Sequence, residues 1–197
     1  MNRFAAALVT AALALGAPAL AAASTWEIDS GHSVAGFSVR HLMVSNVRGE
    51  LGKVTGTVNL DDKDISRSTV EATIEATTLS TRDDKRDQHL KGPDFFDVAS
   101  HPKLTFKSKR VQPAGPGKLK VTGDLTLRGV TREVTLQVEG PAAEVKDPWG
   151  NTKSGVSATA RLNRKDFGMS WNKSLDAGGV AVGDEVSVNI ELELVKK

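Results

Sequence analysis

"EVSVNIELEL", residues 185–194, decides the fold: Val186, Val188, Ile190, Leu192 and Leu194 fall on one face, and polar side chains fill every position between them. A period of two held over ten residues is a strand with one buried and one wet face. The same alternation recurs upstream. Val70, Ala72, Ile74 and Ala76 alternate with Glu71, Thr73 and Glu75, and Leu119, Val121, Leu125 and Leu127 alternate with Lys120, Thr122, Asp124 and Thr126. Further strands are expected at Trp26–Asp29, Val34–His41, Gly49–Leu60, Leu104–Val111, Glu133–Glu139 and Val156–Arg164, with the last running over Glu185–Val195. One-sided strands of this kind are antiparallel. The "LRGVTREV" stretch, residues 127–134, sets Gly129 between two alternating runs as a tight hairpin, while "AGPG" (114–117) and "DPWGN" (147–151) carry turn chemistry. Eight or nine long strands with one apolar face must close into a barrel or pack as two sheets, because an open edge invites aggregation. Only one helical segment is available to cover a sheet. The expectation is an all-β fold: an extended eight-stranded antiparallel barrel with a short helical insertion.

That insertion holds the densest chemistry in the chain, "RDQHLKGPDFFD", residues 86–97. From Arg82 to Lys91 the alternation stops and charge dominates, and Gly92-Pro93 ends any helix. His89 with Asp87, Asp94 and Asp97 has the makings of a base and its orienting carboxylate. The plainer reading is a solvated helix whose carboxylates cap backbone N–H groups, with Phe95 and Phe96 anchoring it to the core; it is preferred because such charge density is ordinary on an exposed helix. His32, His41, His89 and His101 show neither the i, i+2 strand pair nor the i, i+4 helical pair that aims two imidazoles at one ion, so no metal site is expected. No nucleophile elbow, phosphate loop or catalytic cysteine is present either. The remaining constellation is the apolar lining itself. Aromatics are 5% of residues, tyrosine is absent, and many inward positions are Val, Ala or Gly, which favours an interior with room for a small ligand.

Asn2-Arg3, an apolar run from Phe4 to Leu15 and the small residues of "GAPALAAAS" read as an export leader, residues 1–23, cleaved after Ala21 or Ala23. The run is shorter than the roughly 20 residues of a membrane span. Residues 24–197 then form one domain, expected in the periplasm. The charge is near balance, with 26 Lys and Arg against 24 Asp and Glu, and loss of Arg3 leaves +1; no nucleic-acid partner is indicated. With no cysteine, neither disulfides nor thiolate metal ligands contribute.

"WEIDSGHSVAGFSVRHLMVSNVRGEL", "RDQHLKGPDFFDVASHPKLTFKS", "LTLRGVTREVTLQV" and "RLNRKDFGMSW", in that order, resemble the YceI family of bacterial polyisoprenoid-binding proteins over essentially the whole domain. The resemblance implies a lipocalin-like barrel with a long isoprenoid, a polyprenyl lipid or quinone tail, in its apolar interior. With the leader and the one-sided strands it points to a carrier or store rather than an enzyme, with no cofactor; a monomer or homodimer with transient membrane contact is expected. On such a barrel the candidate ligand-binding residues are Phe37, Val39 and His41 on one strand, Leu42 beyond it, and Ile74 and Phe106 on two others. Leu125, Leu127 and Leu136 flank the hairpin, and Phe95 and Phe96 lie under the insertion. His41 shares the face of Phe37, so at a cavity mouth it can hydrogen-bond a quinone or hydroxyl head group; a histidine bonded to backbone is the plainer reading. An 11-residue strand rises about 35 Å, and a tilt near 40° leaves about 27 Å of barrel, so a chain of about eight isoprene units has to bend or protrude. Two readings compete: a lipid-modifying enzyme with His89 or His41 as base, and a structural stress protein whose core is packed solid.

Overall fold

The computed structural model describes residues 23–176 and 178–197, so all but the last residue of the expected leader lies outside the described residues. Eleven strands are present among them: β1 Ser24–Ile28, β2 Val34–His41, β3 Ser45–Glu50, β4 Lys53–Leu60, β5 Thr69–Glu75, β6 Lys103–Pro113, β7 Lys118–Leu127, β8 Val130–Glu139, β9 Val145–Lys146, β10 Thr152–Asn163 and β11 Val182–Lys196. One α-helix, α1, spans Asp84–Lys91. The ladder runs β1-β4-β5-β6-β7-β8-β10-β11 and returns from β11 to β1, a closed antiparallel ring of eight. Closure leaves the long β11 no free edge.

β11 reaches its 15 residues because it serves three partners. β10 lines one side from Lys153↔Val195 to Asn163↔Glu185, while β1 takes the C-terminal end of the other side (Ile28↔Leu194) and β2 the rest (Val186↔Val39 to Glu191↔Val34). The strand expected over Gly49–Leu60 is therefore two. β3 starts earlier, at Ser45, and pairs with β2; the chain then crosses at Leu51-Gly52 so that β4 pairs with β1 and β5. Gly52 has φ 131°, and a Cβ there would meet the Glu75 carbonyl oxygen at 2.1 Å, so only glycine makes that crossing. The first strand stops at Ile28 rather than Asp29, whose carbonyl and carboxylate accept the His32 and Gly31 N–H groups in a turn.

The connections sort by end. At one end lie α1 between β5 and β6, the β2–β3 turn, the β7–β8 turn at Arg128-Gly129, and residues 164–181 between β10 and β11. The opposite end holds residues 61–68, the β6–β7 turn and residues 140–151. Trp26 is 1% exposed and Leu194 fully buried near that second end, with the Lys196 ammonium 5.2 Å over the indole ring.

Candidate functional site

The barrel is hollow. An interior cavity of about 350 Å³, counted as the space open to the centre of a water molecule, is lined by residues from both ends of the ring. Its wall is the inward rows of the ring strands other than β1: Val186, Val188, Ile190 and Leu192 of β11 face Val70, Ala72 and Ile74 of β5 and Leu119, Val121, Leu125 and Leu127 of β7. Phe37, Val39, His41, Ile74, Phe95, Phe96, Phe106, Leu125, Leu127 and Leu136 all line it as expected from the sequence. Leu42 does not. β2 ends at His41, Leu42 enters the turn with φ 50°, and its side chain is 41% exposed outside the wall. A solid interior, which the stress-protein reading requires, is not what the fold builds.

The charged side chains and histidines of the lining, His41, Arg86, His89 and Arg164, gather near the α1 end; elsewhere Ser68 and Thr105 are its polar members. α1 is capped by Asp83, whose carboxylate accepts the Arg86 N–H at 3.0 Å. Asp87 turns inward rather than to water: buried, it accepts the Thr81 N–H at 2.7 Å and the Thr81 hydroxyl. Arg86 donates to the Thr81 hydroxyl and carbonyl, so the segment leading into α1 is held from both sides. Phe95 and Phe96 are 6% and 8% exposed and anchor the helix, as the sequence implied.

His89 is exposed, as the preferred reading implied, but it also packs against the rim. Its ring meets Phe95 and Trp171 edge-on at 5.0 and 4.9 Å, and its Nε2 lies 3.0 Å from Asp94 Oδ2, while the side chain stays 44% exposed. The other two carboxylates suspected around it are elsewhere. Asp87 holds Thr81, and Asp97 sits in a turn whose carbonyl accepts from Ser100 and His101. One histidine–carboxylate pair therefore stands at the rim, not an acidic cluster.

Arg164, Trp171, Phe167 and Met169 complete this end, and none was picked out as a site residue from the sequence. Arg164 is 3% exposed. Its guanidinium donates to the carbonyls of Gly183, Met169, Trp171 and Val182 and to Asp184, pinning 169–171 and 182–184 over the barrel end; burial pulls its pKa down. Asn172 then grips Val182 through both its side-chain atoms, and Val182 pairs with His41. One chain of contacts thus joins α1, Trp171, Val182 and His41 into a rim. The segment "RLNRKDFGMSW" carried this signal, but its odd spacing hid it from a period-two reading.

Among the described residues one group has metal-ligand spacing, Asp29, His32 and Glu193, whose ligand atoms lie within 4.8 Å of one another. A cation already occupies it: Lys153 Nζ sits 2.8 Å from Asp29 and 2.7 Å from Glu193. The ammonium, and secondarily His32, hold the Asp29 carboxyl well below the usual carboxylate range, and the two carboxylates raise Lys153 above its ordinary value. It is a clamp on the barrel exterior that ties the turn after β1 to β10 and β11.

A family model described as a YceI-like domain matches residues 26–194. A UPF0312 protein of Vibrio parahaemolyticus is 35% identical over 94% of this chain and 95% of its own length, and one of Staphylococcus aureus is 35% identical over 86% and 96%. Among solved structures, a YceI protein of Campylobacter jejuni is 30% identical with TM-score 0.66, covering 80% of this chain and 89% of that one. BcnA of Burkholderia cenocepacia (23% identical, TM-score 0.71, 84% and 98% covered) shares the fold. So does a polyisoprenoid-binding domain from Saccharophagus degradans implicated in plant cell wall breakdown (14% identical, TM-score 0.62, 87% and 98% covered).

Proposed function

The chain belongs to the YceI-like domain family, and we propose that its barrel binds a long-chain isoprenoid lipid, a polyprenyl lipid or a quinone tail, as a non-enzymatic carrier or store in the periplasm. The observation that carries this reading is the cavity: an end-to-end apolar wall with its charged groups gathered at one end. That asymmetry suits a ligand with a long apolar tail and one polar head. Each methylene-sized group moved from water into the wall contributes roughly 0.8 kcal/mol, so about a dozen buried carbons contribute near 10 kcal/mol before the entropy of ordering the chain is deducted. His41, Arg86 and His89 are the side chains within reach of the head group. The solved relative described as polyisoprenoid-binding has the same fold, which supports the same ligand class here. The expected export leader agrees with a periplasmic site of action.

Organic extraction of the purified protein followed by mass spectrometry tests the proposal, with polyprenol or long-chain quinone supplied from detergent where none co-purifies. A retained isoprenoid at one per chain is the expected result. Protein that holds neither endogenous nor added ligand overturns it.

A further inference from the structure

We propose that the tip of the β2–β3 hairpin, Leu42-Met43-Val44, is a membrane-docking element that seats the polar end of the cavity on an anionic lipid surface, a proposal that rests on the reading of the cavity as a lipid site. The loop is three residues long, between the His41↔Ser45 pair, and opens with a tight turn. Val44 N–H donates to the His41 carbonyl at 3.1 Å, and Leu42 and Met43 take φ 50° and 61°. Two successive left-handed residues belong to a turn that Asn-Gly fills without strain and that side chains with a Cβ resist. Here two large apolar residues occupy it. The β7–β8 turn has the same sign of φ at Arg128 and Gly129, but there glycine takes one position and the Arg128 guanidinium ties the Gly168 and Pro93 carbonyls together. The β2–β3 turn returns to the fold only through the Leu42 N–H, which bonds the Ala181 carbonyl, and the Met43 side chain beside Gly179, and its apolar side chains stay in water: Leu42, Met43 and Val44 are 41%, 38% and 75% exposed. Strain that presents apolar side chains to water calls for a partner outside the chain.

Position and charge say which partner. His41, just before the tip, and Val47, just after it, line the cavity, and Leu42 N–H bonds Ala181 in the segment that forms the rim. Arg40 and Arg48 stand exposed on the outer face of the same hairpin and Lys173 on the adjoining segment, with no carboxylate partner among the described residues. Arg40 reaches only the Met43 carbonyl, at 2.7 Å. Of the acids nearby, Asp184 holds Arg164 and Lys165 and Glu185 holds Arg161, while Asp176 and Glu50, the latter at the end of β3 away from the tip, are exposed without an ion pair. An apolar tip ringed by unpaired cations matches apolar insertion beneath anionic head groups.

The test is flotation of the full chain with vesicles of phosphatidylethanolamine and phosphatidylglycerol, against neutral phosphatidylcholine. The wild type is expected to float with the anionic vesicles in a salt-sensitive way. Leu42→Asn with Met43→Gly, which suits the turn better, should cut binding by about tenfold or more while the melting temperature holds or rises. Arg40→Glu with Arg48→Glu should cost at least roughly fivefold per cation and remove the salt dependence. Trp149→Ser, at the opposite end and 84% exposed, should change nothing. A wild type that does not bind, an Asn-Gly variant that binds as well, or loss only with Trp149→Ser overturns the proposal. So does a concentration-dependent dimer that the Asn-Gly variant abolishes, which would make the tip a self-association surface. Loading with polyprenol from detergent micelles is read separately: loading without vesicle binding sinks docking alone, and vesicle binding without loading sinks the lipid-carrier reading.

Discussion

Ala160 is the position at which the lipid reading is most exposed to refutation. It lies on β10, faces the cavity and pairs across the ladder with Val188 of β11. Ala160→Phe puts a six-carbon ring into a lumen of about 350 Å³, displacing about one five-carbon isoprene unit. At about 0.8 kcal/mol per methylene-sized group the ligand loses about 4 kcal/mol of burial, a factor near a thousand in Kd. The fold itself need not suffer, because occupying an empty apolar volume recovers on the order of 24 cal/mol per Å³ and offsets the cost of overpacking. The assay is displacement of a fluorescent polyprenol, repeated over a chain-length series, with thermal melting alongside. Thr159→Phe, one residue earlier and exposed on the outer face, is the control. Affinity for the longest chains should fall most in Ala160→Phe, with the shortest chains least affected. Unchanged affinity, or the same loss in the Thr159 variant, would show that the tail does not run through the lumen.

Phe95→Ala or Phe96→Ala should cost about 3–5 kcal/mol, lowering the melting temperature by roughly 10 °C, and release bound lipid; His89→Ala should do less of both in parallel melting and extraction experiments, and the opposite order would favour chemistry at His89. Arg164→Met should destabilise by about 3 kcal/mol or more, since it strands four carbonyls and Asp184; protection of residues 169–171 and 182–184 from hydrogen exchange should drop first, and a loss spread evenly over the barrel would count against its role as a pin. The Asp29–Lys153 clamp gives a pH signature. The Asp29 pKa is lowered from 3.8, so its stabilisation is complete above that value and fades as the pH falls further. The Lys153 pKa is raised from 10.5, so its part is complete below that value and fades above it. Lys153→Met should therefore melt below the wild type between these limits and converge with it in strong acid; a constant offset at every pH would refute the assignment.

The walls of the barrel were legible because a strand reports its two faces through parity. Once Phe37 is set inward, Val39 and His41 follow, and Leu42, one residue out of step, cannot share their face. The same parity missed the division of Gly49–Leu60. Inward residues are odd-numbered in and just after β3 (Val47, Leu51) and even-numbered in β4 (Val54, Val58, Leu60), so the break at Gly52 changes phase as well as hydrogen-bonding partner, a slip that reading one continuous strand passes over. The rim was not legible for a further reason. His41, His89, Arg164 and Trp171 come from a strand end, a helix, a 3₁₀ turn and an irregular segment, and no local period relates them. Side-chain bonds of Arg164 and Asn172, with the packing of Trp171 against His89 and Phe95, bring the last of these across the barrel end.

The hollow itself follows from how the wall stores its aromatics. Phe37 and Phe106 both point inward and would fill the lumen if they stood upright. Each instead lies over a glycine of the neighbouring strand: a Cβ on Gly49 would meet Phe37 Cε1 at 2.8 Å, and one on Gly123 would meet Phe106 Cζ at 2.7 Å. The missing side chain lets the ring lie flat against the sheet, where it covers backbone that glycine would leave bare. Of the largest fully buried side chains, Trp26 and Leu194 sit toward one end of the ring and Phe167 and Leu79 toward the other, while Ala72 and Ala160 face the cavity. Bulk is thus placed where the barrel must close and withheld where a chain must pass. A packed core of the same strands would need the reverse arrangement, with the rings upright at mid-height and small residues at the ends.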